Sequence, residues 1–212
     1  MLRKEFDRQV ENLLQKGYPA AAGISVEEFL KHLVPLQQWV EEAIIPEAEI
    51  DIENGYLPFL IVVKSDLIET EKAMSFVERE GKQGYIKLYP REPSDFKPID
   101  SVRVPSSQVY LIVDIDRGQE TINLTPEDAL QTIQKKNRSP LTIDEGVAIM
   151  THYPEFLIKN NCFSLLASRY RDDKRVPAIW ITHQREARLG WCWEGNPHTW
   201  LGSASCKSRV GS

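Results

Sequence analysis

Cysteine is scarce in this chain of 212 residues, and the three cysteines lie far apart. They are Cys162, Cys192 and Cys206, an odd number at wide spacing that does not indicate a disulfide framework. The sequence also lacks the C-x-x-C and H-x-x-x-H pairs in which zinc ligands commonly occur. We therefore expect free thiols in a reducing compartment, with no metal site and no bound cofactor.

Long apolar runs are also lacking. The longest, from Leu57 to Val63, is far shorter than the ~20 residues that a membrane-spanning helix needs. The first residues, Met1–Asp7, have none of the apolar core of a secretory signal. These absences predict a cytoplasmic protein that makes no membrane contact.

An overall positive charge is absent too, because the formal net charge is -5. This balance does not favour a nucleic-acid partner. The charge is nevertheless uneven: residues 1–158 carry 17 basic and 27 acidic side chains, whereas residues 159–212 carry 9 and 4. Four of the five tryptophans and all three cysteines also lie in residues 159–212, the C-terminal quarter. We therefore expect any binding or catalytic site there.

The hydrophobic spacing at the start of the chain predicts an N-terminal helical segment over residues 1–50. A first helix is expected from Leu2 to Lys16, and a second is expected to begin at Ser25, a residue type that caps helix N-termini. Pro35 should kink or divide the second helix, because proline lacks the N–H that a helix interior uses.

Residues 51–212 are predicted to form an α+β domain, and we expect this domain and the helices to make one compact unit. Apolar, β-branched runs at Leu57–Val63 and Val109–Ile115 predict buried strands. Further elements are indicated by turn and cap residues. They are a hairpin strand at Thr121–Leu124, helices beginning at Thr125 and Thr142, a helical stretch within Phe156–Ala167, closing strands at Ala178–Thr182 and Arg188–Trp193, and an ordered loop at Gly195–Cys206. The predicted fold class is α+β, with N-terminal helices followed by a mixed, largely antiparallel sheet packed with helices.

The leading functional hypothesis is a binding site where the Gly195–Cys206 loop meets the basic side chains. Donors, acceptors and a stacking surface gathered on one loop are typical of ligand pockets. The candidate ligand-binding residues are Arg188, Asn196, His198, Thr199, Trp200, Ser203 and Ser205. The expected partner is a small anionic molecule or an acidic protein surface. A structural loop whose polar side chains bond their own backbone fits the sequence equally well.

Two alternatives remain open. The first is a hydrolase- or transferase-type enzyme in which Cys192 or Cys206 is the nucleophile and His198 is the base. The second assigns the positive charge of the C-terminal quarter to internal packing against acidic residues before position 158.

Three strings of sequence resemble a family of uncharacterised bacterial proteins, a domain of unknown function of the DUF5701 type. They are Gly55–Phe59, Leu141–Ala148 and, above all, Trp191–Cys206. The resemblance covers roughly residues 50–212 and implies a bacterial cytosolic protein. It implies no activity, cofactor or catalytic residue.

Overall fold

The structure is a computed structural model that describes residues 2–42 and 49–211. Helices predominate in the first part of the chain and strands in the last. The α-helices are α1 (Leu2–Gln15), α2 (Tyr18–Ala22), α3 (Val26–Glu41), α4 (Thr70–Ser75), α5 (Pro126–Lys135) and α6 (Ile143–His152). Short 3-10 turns occupy Pro93–Asp95, Gln119–Thr121 and Pro154–Phe156.

The strands form two main sheets and two short ribbons. The strands are β1 (Tyr56–Val63), β2 (Glu78–Arg79), β3 (Lys82–Gln83), β4 (Tyr85–Ile86), β5 (Lys97–Pro98), β6 (Val109–Asp116), β7 (Ser139–Pro140), β8 (Cys162–Ser164), β9 (Ser168–Arg169), β10 (Arg175–Ile181), β11 (Ala187–Trp193), β12 (Leu201–Ser203) and β13 (Ser205–Val210). The first sheet has the order β1-β6-β13-β7 and is antiparallel throughout. The second has the order β12-β8-β10-β11-β4, with parallel pairs at both edges and antiparallel pairs between them. The predicted α+β class with a mixed, largely antiparallel sheet is confirmed.

The N-terminal helices pack on the first sheet and share one apolar core with it. Phe6, Leu13 and Phe29 are buried in the same cluster as the central residues of β1 and β6. The buried side chain of Gln9 donates to the carbonyl of Phe59 at 3.2 Å and accepts from the N–H of Ile61 at 2.8 Å. The proposed division into residues 1–50 and 51–212 stays a prediction, and parts of both ranges lie outside the described residues.

The predicted helix starts are confirmed by their caps. Ser25, Thr125 and Thr142 each accept a hydrogen bond from a backbone N–H three residues later. This contact satisfies one of the N–H groups that a helix start leaves without a partner. Helix α3 is not divided at Pro35. Pro35 is exposed, so water can reach the carbonyl that has lost its N–H partner.

Three predicted elements are wrong. Phe156–Ala167 holds no α-helix: it holds the end of a 3-10 turn and strand β8. Thr121–Leu124 forms no hairpin strand, because a 3-10 turn ends at Thr121. The predicted Gly195–Cys206 loop is a loop only as far as Trp200, and it continues as β12 and β13. In the first and third cases pairing with distant strands decides the local structure.

The segment from β12 to β13 joins the two main sheets. Ser203 pairs with Ser164 in the second sheet, and Ser205 pairs with Asp116 in the first. Gly202 lies so close to the Gly118 carbonyl that a Cβ at Gly202 would approach its oxygen to 2.2 Å. The small residues that suggested an ordered loop therefore allow two backbones to approach closely.

Candidate functional site

The candidate site lies on the antiparallel pair β10–β11. Trp180 is directly opposite Arg188, and Ala178 is opposite Gly190. Because side chains alternate between the faces of a strand, Trp180, Arg188 and Gly190 share one face of the second sheet. The loop that follows β11 crosses toward this face and leads into β12.

Gly190 provides the space for the indole of Trp180. A Cβ at Gly190 would lie 2.3 Å from Cη2 of Trp180, which is far inside van der Waals contact. The guanidinium carbon of Arg188 lies 4.7 Å from the centroid of the Trp180 ring, a cation–π contact. The Nε atom of Arg188 is buried and has no hydrogen-bond partner among the described residues. Arg188 is thus held by stacking, and its charge faces no carboxylate in the described chain.

The Glu194–Trp200 loop is fixed at both ends. The Asn196 N–H donates to the carbonyl of Trp193 at 3.1 Å, and the Asn123 N–H donates to the carbonyl of His198 at 2.9 Å. The His198 ring lies 5.1 Å from the Trp200 ring, which lies 6.3 Å from the Trp180 ring. The loop therefore holds an imidazole and a second indole beside Trp180.

A cavity of about 470 Å³ opens between β8 and the end of β10. We call it the cationic cavity, and it is lined by Lys159, Asn160, Cys162, Trp180, Ile181, Thr182, His183, Arg185 and Trp200. Lys159 and His183 are exposed and make no ion pair within residues 2–42 and 49–211. Arg185 lies 3.6 Å from Glu80, with its side chain 76% exposed. None of the described lining residues is acidic, so the local field favours an anion.

A second cavity of about 300 Å³ lies beside the first. We call it the aromatic cavity, and it is lined by Trp180, Trp191, Cys192, Trp193, Asn196, His198, Trp200 and Leu201. Burial lowers the pKa of His198, so the imidazole is neutral at neutral pH. Its Nε2 atom is buried and has no hydrogen-bond partner in the described structure. The aromatic cavity therefore combines a largely apolar wall with a histidine whose buried Nε2 is unpaired.

The two candidate nucleophiles lie in different places. Cys192 lines the aromatic cavity together with His198, but no hydrogen bond joins the two side chains in the described part of the chain. Cys206 is fully buried in β13. Burial raises the pKa of Cys192 to about 11 and the pKa of Cys206 to about 12. Both groups are therefore neutral thiols at pH 7, whereas nucleophilic catalysis requires the thiolate.

Three predicted ligand-binding residues lie apart from the two cavities or at their edge. Ser203 is buried, and its hydroxyl lies 2.9 Å from that of Ser164. Ser205 is buried, and its Oγ accepts from Nε of Arg138 at 2.9 Å. Thr199 is exposed on the loop between His198 and Trp200. Of the predicted set, the structure brings Asn196, His198 and Trp200 together in one cavity, with Arg188 stacked on its wall.

Several arginines of the C-terminal quarter are used internally. Arg209 makes two bonds to Glu145, from Nε at 2.5 Å and from a terminal nitrogen at 2.8 Å. Arg169 pairs with Glu194 at 3.2 Å, and Arg175 pairs with Asp173 at 2.7 Å. The Arg209 pair fits the hypothesis of internal packing, whereas the other two remain inside the C-terminal quarter. Charge pairing therefore accounts for part of the basic residues but not for Lys159 or Arg188.

Lys159 and His183 were not predicted as site residues. Each is a single polar residue beside a strand, which in the sequence is indistinguishable from a solvated surface residue. They approach each other because β8 pairs with β10, a contact between distant segments. The one feature of the sequence that could have pointed to these two residues was the general excess of positive charge after residue 158.

Neither a metal centre nor a membrane span is evident in the described chain. It contains no group of three or more His, Cys, Asp or Glu side chains placed to hold a metal ion. None of its described helices combines the length and the apolar content that crossing a membrane requires.

The comparisons with known proteins identify one relationship. Residues 12–212 match a family described as a family of unknown function, DUF5701. The match confirms the resemblance seen in the sequence and extends it into the N-terminal helices. No curated protein and no solved structure matches the chain.

Proposed function

Because this chain belongs to the DUF5701 family of unknown function, its function must come from its site, and we propose that it binds a small anionic ligand in the cationic cavity. One observation carries the proposal: Lys159, His183 and Arg185 line a cavity whose described wall contains no carboxylate. A volume of about 470 Å³ lies within the range of ~300–1,000 Å³ that is typical of small-molecule sites.

The charges around the cavity support an anion rather than a neutral ligand. The chain as a whole is acidic, with a formal net charge of -5, so a cavity lined by three basic residues, of which Lys159 and His183 make no ion pair in the described chain, differs from the average surface. Two positive groups close to one anion each contribute attraction, and the attraction rises where protein walls replace water. Trp180 and Trp200 provide such walls in this cavity.

A small ligand is favoured over an acidic protein surface, the other partner predicted from the sequence. The cations lie around a recess between β8 and β10 rather than on a flat face. Trp180 and Trp200, which form part of the lining, are half-buried. Neither residue therefore presents the broad exposed contact that a protein partner of ordinary interface size would use.

The experiment is a calorimetric titration of the full chain with inorganic phosphate at low ionic strength. The variant Lys159→Glu should weaken binding by about tenfold or more, because it removes an attraction and adds a repulsion. Arg188→Glu should weaken it as well, since the Arg188 guanidinium stacks on the cavity wall at Trp180.

Lys4→Glu is the matched control, because Lys4 is an exposed residue of α1 and the charge change is the same. Its phosphate affinity should equal that of the unchanged protein. Absence of phosphate binding, or an equal loss in Lys4→Glu, would count against the proposal.

The second candidate function is a cysteine-dependent hydrolase or transferase. It is supported by the shared position of Cys192 and His198 on the wall of the aromatic cavity. The raised pKa of Cys192 weighs against it, because little thiolate is present at neutral pH. Rapid alkylation of Cys192 by iodoacetamide at pH 7 would restore this candidate, and slow alkylation would eliminate it.

A further inference from the structure

The two cavities are neighbours that share two lining residues. Trp180 and Trp200 belong to the wall of both. Their rings meet edge to face, with an interplanar angle of 65° and centroids 6.3 Å apart. The Trp180–Trp200 pair therefore forms part of the boundary between the two cavities.

The two cavities differ in chemistry. Three basic side chains, those of Lys159, His183 and Arg185, line the cationic cavity and are absent from the described wall of the aromatic cavity. The wall of the aromatic cavity holds Leu201 and two additional tryptophans, Trp191 and Trp193. Apolar surface of this kind favours an apolar or aromatic group that leaves water.

One residue that lines the aromatic cavity, His198, carries a buried polar atom without a hydrogen-bond partner in the described structure. Buried polar atoms are nearly always hydrogen-bonded, so the unpaired Nε2 of His198 needs an explanation. Leaving it unsatisfied costs stability, and the side chain that carries it forms part of the wall of the aromatic cavity. Of the other unpaired buried atoms, Nε of Arg188 lies in the adjacent stack on Trp180.

From these observations we infer that the ligand is amphipathic, with an anionic group in the cationic cavity and a flat apolar or aromatic body in the aromatic cavity. The body packs along the Trp180–Trp200 pair, beside the imidazole of His198. This inference rests on the proposed anion binding and adds the class of molecule: an aromatic or similarly flat acid rather than a simple inorganic anion.

The test compares three probes by isothermal titration calorimetry with the full chain. They are 2-naphthoate, which has both the charge and the aromatic body, acetate, which has the charge alone, and 2-naphthol, which has the body alone. We expect 2-naphthoate to bind at least about tenfold more tightly than either of the others, because burial of the ring adds to charge attraction.

Two variants locate the parts of the probe. His198→Ala should weaken binding of 2-naphthoate and leave acetate unchanged, because His198 lines only the aromatic cavity. Lys159→Glu should weaken both, since Lys159 lines only the cationic cavity. His32→Ala, in helix α3, is the matched histidine control and should change neither affinity.

The possible outcomes separate this inference from the proposed function. Equal affinities for acetate and 2-naphthoate, both lost in Lys159→Glu, would overturn the amphipathic ligand and leave anion binding intact. Equal affinities for 2-naphthol and 2-naphthoate would show that the carboxylate adds nothing to binding and would overturn the amphipathic ligand, whereas the phosphate titration alone decides the proposed anion binding. An equal loss of 2-naphthoate binding in His32→Ala and His198→Ala would overturn the placement of the body.

Discussion

The C-terminal quarter uses its positive charge in two contrasting ways. At Arg209 the side chain is 6% exposed, and its partner Glu145 is fully buried. Glu145 also accepts from the Tyr110 hydroxyl at 2.8 Å and from the Thr142 N–H at 2.7 Å, so this carboxylate is bonded from several directions. In the cationic cavity, by contrast, Lys159 and His183 have no acidic partner in the described chain. Charge that is fully paired stabilises the fold, whereas unpaired charge at a cavity is available to a ligand.

Two of the histidines, His152 and His198, show the same contrast between paired and unpaired groups. His152 is buried with both ring nitrogens engaged, one 3.2 Å from the Asn12 amide and the other 3.1 Å from the carbonyl of Ile61. His198 has an unpaired Nε2 beside the aromatic cavity. The same residue type is therefore fully hydrogen-bonded inside the fold in one place and lines a cavity with an unpaired nitrogen in the other.

The largest expected effect is on the buried pair. Arg209→Met should lower the free energy of unfolding by about 3–5 kcal/mol, because it leaves the Glu145 carboxylate buried without its counter-charge. Urea unfolding followed by circular dichroism measures the change. Arg3→Met is the control: Arg3 pairs with Asp7 on an exposed helix face, and its loss should cost less than about 1 kcal/mol. Equal losses in the two variants would remove the distinction between interior and surface charge.

The next effect is the pH dependence that His152 contributes. Burial lowers the pKa of His152 to about 3, from an ordinary value of 6.5. Between these values the unfolded chain binds the proton and the folded chain does not, so stability is complete above pH 6.5 and declines as the pH falls. The decline should be about 1 kcal/mol per pH unit between pH 6 and pH 4.

The measurement compares unfolding free energies of the unchanged protein and His152→Asn across this range. Carboxylates titrate in both proteins, so the difference between the two curves isolates the histidine. A difference that stays constant from pH 6 to pH 4 would contradict a buried, neutral His152.

A smaller effect is expected at Gly190. Gly190→Ala should cost about 1–3 kcal/mol and alter the near-ultraviolet circular dichroism of tryptophan, because the new methyl group collides with the Trp180 indole. Gly195→Ala is the matched control, since a Cβ there meets no atom within 4 Å. Equal changes in unfolding free energy and in near-ultraviolet circular dichroism for the two variants would show that Trp180 does not pack over Gly190. The position of Trp180 in the shared wall of the two cavities would then be wrong.

Local signals in the sequence predicted much of the scaffold. The apolar run at Leu57–Val63 reports a strand buried on both faces, and Thr142 with Glu145 reports a helix start in which each side chain bonds the other's backbone. These patterns depend only on residues that are close together in the sequence. The fold class followed from them.

The rest depended on contacts between distant segments. Strand β8 is only three residues long and is a strand because β10 and β12 lie on either side of it. Serine is a residue type common in loops, yet Ser205 is buried and its hydroxyl accepts a hydrogen bond from Arg138, 67 positions earlier. The predicted residues His198 and Trp200 line one cavity in the structure, and their role in binding stays a prediction. The approach of Lys159 could not be inferred before the sheet was known.

The most direct test of the contrast between paired and available groups is a proton NMR titration with 2-naphthoate. The chain has four histidines, so their ring Cε1 protons give a small set of resonances that single substitutions can assign. We predict that the signals of His183 and His198 shift with added 2-naphthoate, and that those of His32 and His152 do not. Shifts at His32 or His152 alone, or unchanged signals at His183 and His198, would contradict a binding site at the two cavities.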